Sequence, residues 1–133
     1  MKKFDENGKL TEAALERMAH KVRKWLLKNG MWVDIKIYYN GKSIGTYDYE
    51  TKKFYYDEDR YYEKNPDKPQ DYFHVPEDTP FAMSFEGAFC HFLSYGVGRT
   101  PAKLQSFKAI FEEYGLKYMI NDHWNLYTEY IKK

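Results

Sequence analysis

Few residues in this chain have the types and spacings that do chemistry. The single cysteine, Cys90, adjoins His91. Helix neighbours point about 100° apart, so those two cannot act on each other as nucleophile and base. Cys90 would need His74 or His123 brought to it by the fold. Glu86 is the only charge between Pro80 and Gly98. An isolated carboxylate on an apolar helix can serve as a general acid with a raised pKa. A place in the first turn after Ser84 explains it without further assumptions and is the preferred reading, because the helix dipole favours an acid there. The four histidines (His20, His74, His91, His123) lack the spacing of a zinc site. No catalytic residue, metal ligand or cofactor is assigned on this basis.

One segment resembles an anion-binding turn. In Gly96-Val97-Gly98-Arg99-Thr100-Pro101 the glycines permit close approach, a helix is expected to begin at Thr100, and Arg99 and Lys103 add charge. Pro101 removes one amide donor and no strand precedes the glycines, so the motif is a tight helix-to-helix turn first and only a weak anion site.

Binding residues are more plentiful. The chain carries 14 Tyr, 9 Phe and 3 Trp in 133 residues. Tyrosine combines an apolar ring with a polar tip and is frequent at binding surfaces. Arg17, Lys21, Lys24 and Lys28 recur at helical spacing and could track phosphates. The segment 57–78 holds eight acids against three bases, among Tyr61, Tyr62 and Tyr72. The net charge of +1 excludes a global pull toward nucleic acid or membrane.

These residues must be positioned by one domain, since 133 residues suit a single core over 1–133. The lone cysteine forbids an intrachain disulfide, the N-terminal residues have no apolar signal region, and no apolar run reaches membrane length. A cytoplasmic setting is the expectation.

Leu15, Met18, Val22, Trp25 and Leu26 predict an amphipathic helix over 11–28, capped by Thr11 and ended by Asn29-Gly30. Alternation then predicts a strand through Val33, Ile35, Ile37 and Tyr39. Asn40-Gly41 signals a hairpin, with a second strand over 42–50 and a third at Phe54-Tyr55-Tyr56. A two-residue turn sets Ile37 against Ile44, Ile35 against Thr46 and Tyr38 against Ser43. Asp34 should then meet Tyr47 and Trp32 should meet Tyr49, making a face of rings and charge from Trp32, Tyr38, Tyr47 and Tyr49.

Residues 58–80, rich in proline, acid and tyrosine, read as a long loop. Residues 83–95 are apolar nearly all round and predict a buried central helix capped by Ser84. Another helix starts at Thr100-Pro101 and ends at Gly115. Strands over 116–120 and 124–131, joined around Asn121-Asp122, complete the chain. The expected fold is α+β, with an N-terminal helix, a three-stranded antiparallel meander, a long loop, two helices and a C-terminal β-hairpin. Its helices pack on one sheet face.

Three functional readings follow. The first is a non-catalytic protein-binding module, accessory or inhibitory, contacting its partner through Trp32, Tyr38, Tyr47, Tyr49, Tyr61, Tyr62 and Tyr72. The second is a nucleic-acid binder using the basic face of helix 11–28. The third is a small enzyme centred on Cys90 or Glu86. Partners are another protein or nucleic acid, not a membrane, and self-association through a strand edge or the aromatic face is open.

Overall fold

The computed structural model describes residues 2–96 and 101–131. Helix α1 runs Glu12–Lys28. The Thr11 side chain accepts a hydrogen bond from the Ala14 amide and satisfies one of the free donors of the first turn. Six strands follow: β1 (Ile35–Tyr39), β2 (Lys42–Gly45), β3 (Tyr62–Lys64), β4 (Ala82–Phe85), β5 (Leu116–Asp122) and β6 (Asn125–Tyr130). They form one sheet in the order β3-β2-β1-β4-β6-β5, antiparallel at every joint. Helix α2 (Gly87–His91) leads into a π-helical turn (Phe92–Gly96), and α3 (Pro101–Glu113) precedes the C-terminal hairpin.

The helices pack on one face, as the sequence leads one to expect. The side chains of Ile35, Ile37, Tyr39, Ile44, Met83, Phe85 and Leu126 point to that side and meet Leu15, Met18, Val22 and Leu26 of α1. Phe107 of α3 is the hub of the rings. Its centroid lies 5.0 Å from Trp25, 5.1 Å from Phe89, 5.1 Å from Phe111 and 5.6 Å from Tyr118. A smaller cluster of Tyr38, Phe73, Val75 and Ala82, joined by Trp124 and Tyr127, covers part of the opposite face.

The Asn40-Gly41 hairpin has the expected register: Ile37 pairs with Ile44 and Tyr38 with Ser43, while the Ile35 carbonyl accepts the Thr46 amide. Four other expectations are corrected. The ladder does not extend to Trp32, because Asp34 takes φ 55° and breaks the alternation before Ile35. Trp32 therefore turns into the helix-side core, where it is fully buried. The third strand of the meander is Tyr62–Lys64, inside the expected loop 58–80. Phe54 makes only an isolated bridge to Tyr47, closing an arm between β2 and β3.

The expected helix over 83–95 begins as a strand. Ala82–Phe85 lies between β1 and β6, buried except at half-buried Ser84, and a short buried strand has the same apolar run as a buried helix. Gly87, at φ 66°, ends the strand, so Ser84 is not a cap and Glu86 stands at the N-cap of α2. Finally, β5 continues to Asp122, and His123-Trp124 makes the turn. The expected start of α3 at Thr100 lies outside the described residues.

Replacing Phe107 with alanine should destabilise the fold by about 3–5 kcal/mol. Ile120→Ala, at a half-exposed strand position, should change stability by no more than about 0.5 kcal/mol. Urea unfolding of the two variants checks this, and equal losses would contradict the placement of Phe107 at the centre of the core.

Candidate functional site: an aromatic cleft over a buried ion pair

The face of the sheet away from the helices carries the candidate site. Strand alternation sends Lys36 of β1 to this side, and Gly45 of β2 pairs opposite it. A Cβ at Gly45 would sit 2.9 Å from the Ile35 carbonyl oxygen. Only glycine fits, and the missing side chain leaves open space beside Lys36. A cleft of about 230 Å³ results. Its lining includes Lys36, Gly45 and Ser84 from the strands, the rings of Tyr47, Tyr49, Tyr62 and Trp124, and the carboxylates Asp34 and Glu86.

Lys36 is the most constrained charge in the site. Its ammonium lies 2.6 Å from Asp67, whose side chain is 2% exposed. It also donates to the Tyr49 hydroxyl at 3.2 Å and sits over the rings of Tyr72, Tyr38 and Tyr49 at 4.4, 5.2 and 5.2 Å. Burial alone would depress a lysine pKa. The Asp67 hydrogen bond and the surrounding ring and carboxylate charges outweigh it and hold the Lys36 pKa above its usual range.

Asp67 accepts from Ser43 Oγ at 2.6 Å and from the Tyr72 hydroxyl at 2.6 Å. Burial opposes its charge, but these donors and Lys36 hold its pKa below the usual carboxylate range. Burial pushes the Tyr38 hydroxyl up to about 12.

The arm between β2 and β3 supplies the walls. Asp48 organises its tip. Its carboxylate accepts from the Tyr55 hydroxyl and from the amides of Glu50 and Thr51, and the Tyr55 bond leads in bringing its pKa to about 2. Five rings run along the arm and onto β3 in sequence of contact: Tyr56–Phe54 at 5.1 Å, Phe54–Tyr47 at 4.9 Å, Tyr47–Tyr49 at 4.9 Å and Tyr49–Tyr62 at 5.6 Å. Phe54 is 54% exposed and Tyr49 45%, so the ladder is an outward surface rather than core. Asp34 anchors its far end by accepting from the Tyr56 hydroxyl.

The predicted contact residues divide cleanly. Tyr38, Tyr49 and Tyr72 surround Lys36, and Tyr47 and Tyr62 line the cleft beside it. Trp32 does not, being buried on the helix side. Tyr61 faces away from the cleft, with its ring 5.3 Å from His20 and 4.7 Å from the Arg23 guanidinium. Phe54, Tyr56, Trp124, Lys36 and Asp67 belong to the site without having been singled out. Only the aromatic density of the arm offered a hint of the first two. The pairing of Lys36 with Asp67 joins residues far apart in sequence and had no signal.

The other candidate residues lie elsewhere. On α1, Lys21 donates to Glu113 at 2.8 Å, Arg17 is half-buried, and Lys24 and Lys28 face solvent. Arg99 and Thr100 lie outside the described residues, and Lys103 is half-buried on α3. Cys90 donates its thiol hydrogen to the His123 carbonyl oxygen at 3.2 Å, while the His123 ring pairs with Asp122 at 2.8 Å. Among the described residues no group of three metal-ligating side chains is assembled. No described helix is long and apolar enough to cross a membrane.

Asp67→Asn should cost about 3 kcal/mol by leaving the Lys36 charge buried without its counter-ion, and a second change, Lys36→Met, should recover much of that loss. The pair also predicts a pH dependence. Asp67 has a folded pKa below its unfolded value, so its contribution is present above about pH 4 and lost as pH falls through the folded pKa. Lys36 is raised, so its contribution is present below about pH 10.4 and lost at still higher pH. Unfolding curves of wild type and the double variant against pH test both arms. An identical acid and alkaline dependence would remove the pair as their source.

Compared with known proteins, the chain matches no family model, no curated protein and no solved structure.

Proposed function

We propose that this domain is a binding module that recognises another protein through the aromatic face of its sheet. The observation that carries the reading is the ring ladder from Tyr56 to Tyr62, in which Phe54, Tyr56 and Tyr49 are exposed and Tyr47 and Tyr62 half-buried, continuous with a cleft of side-chain size. Rings at 4.9–5.6 Å spacing already support one another and lose little freedom on contact, which lowers the entropy cost of binding. Contiguous exposed aromatic surface marks interaction sites.

The cleft also suits a partner's side chain better than a free metabolite. Its volume of about 230 Å³ falls below the roughly 300–1,000 Å³ of small-molecule pockets. The floor is rigid, because Lys36 and Gly45 belong to the sheet itself and Asp67 is tied to it through Lys36, Ser43 and the Gly41 carbonyl oxygen. Tyr49 and Tyr72 are held from beneath by hydrogen bonds to Lys36 and Asp67, as in a site whose support shell is built before the ligand arrives.

Screening against an array of short peptides of varied composition should yield binders. Tyr49→Ala should weaken the best of them by about 2 kcal/mol, roughly thirtyfold, while Tyr49→Phe, which keeps the ring and loses only the hydroxyl that accepts from Lys36, should retain most of the affinity. Absence of any binder, or binding indifferent to Tyr49→Ala, would defeat the reading.

A further inference from the structure

Resting on the proposed aromatic binding face, we infer that the cleft receives a cationic side-chain head, an arginine guanidinium above all, presented by an extended apolar segment of the partner. The sign of the site carries the argument. The positive charge in the cleft, Lys36, is cancelled by Asp67 at 2.6 Å behind it. Lys64, which sits 4.8 Å over the Tyr49 ring, also approaches Asp67, at 3.9 Å, so the two lysines and one carboxylate leave a single positive charge, which the two carboxylates of the rim outnumber. The two carboxylates that line the cleft, Asp34 and Glu86, have no cationic partner among the described residues. Both are exposed. Their backbones are joined by the Glu86 amide donating to the Asp34 carbonyl oxygen at 3.1 Å, so the two acids spring from adjacent points of the rim.

The walls agree with that sign. Tyr47, Tyr49, Tyr62 and Trp124 turn ring surface to the same space, and ring faces are electronegative. Tyr47 and Tyr49 stand at 81° to each other, which offers one ring face and one edge rather than a flat wall. A guanidinium can stack on a ring and fork onto carboxylates at once, which a spherical ammonium cannot do. An anion would have to displace Asp67 from Lys36, against three hydrogen bonds. Phe54 and Tyr56 extend the apolar surface beyond the cleft, so a free cation would leave the ladder uncovered. A peptide that places apolar side chains there and the cation in the cleft covers both.

The test is calorimetric titration with a short peptide bearing one arginine between apolar residues. Its isosteric neutral counterpart carries citrulline at that position, and N-acetyl-arginine amide represents the free cation. The arginine peptide should bind at least tenfold tighter than the citrulline peptide and than the free amide. In the Asp34→Asn, Glu86→Gln double variant that preference should vanish. Asparagine tolerates the positive φ at position 34 and keeps an acceptor for Tyr56. Equal binding of arginine and citrulline peptides, or a preference that survives the double variant, overturns the cation assignment. If such binding is still lost in Tyr49→Ala, the aromatic-face reading stands without it. If neither peptide binds and the wider array also yields nothing, the aromatic-face reading fails with it.

Discussion

An ammonium and a carboxylate 2.6 Å apart lie on the side of the sheet that the helices leave uncovered. Opposite charges taken out of water are stable only when every remaining donor and acceptor is satisfied. Here the satisfaction comes from tyrosine. Tyr72 and Ser43 donate to Asp67, and Tyr49 accepts from Lys36. The rings that meet these demands then cannot point elsewhere. The segment after β3, which carries Asp67, is drawn onto the sheet by the same contacts, with the Asp67 amide donating to the Gly41 carbonyl oxygen. One ion pair thus places an arm, a loop and several aromatic rings.

Two surfaces of opposite character share the sheet. On the helix side, rings meet rings in a closed core centred on Phe107. On the other, rings meet charges and solvent, and a smaller apolar cluster around Phe73 closes only part of the area. This division explains Tyr55, Tyr56 and Tyr72, because a phenyl ring could not hydrogen-bond to Asp48, Asp34 or Asp67.

Much of the architecture was legible in the sequence, and the failures share a cause. Local signals sufficed for α1, for the Asn40-Gly41 hairpin with its register, and for the final hairpin. Each rests on a cap, a turn or an alternation within a few residues. Trp32 was misplaced because a left-handed aspartate at 34 resets the alternation, and aspartate is too common for its identity to announce that conformation. The segment 82–85 read as helix because a strand buried on both faces loses its period of two. Gly87 was the available warning. At the site, the tyrosines stood out by density, but their grouping depends on where Asp67 lands on β1, a long-range contact that no local pattern encodes.

The position of β4 has a consequence for how the chain comes together. It is the joint between two halves that are each nearly local, the β1-β2-β3 meander and the β5-β6 hairpin. Its partners lie far from it in sequence on both sides, Ile37 opposite Met83 and Leu126 opposite Met83. Closing these distant contacts carries the greatest chain-entropy cost and is slow relative to hairpin formation. The docking of a four-residue strand between them is the step that joins the two halves in one sheet, beside the packing of α1 on α3 in the core. The cleft, which takes Lys36 from one half, Trp124 from the other and Ser84 from the joint, exists only after that step, so its integrity reports on the assembly of the whole domain.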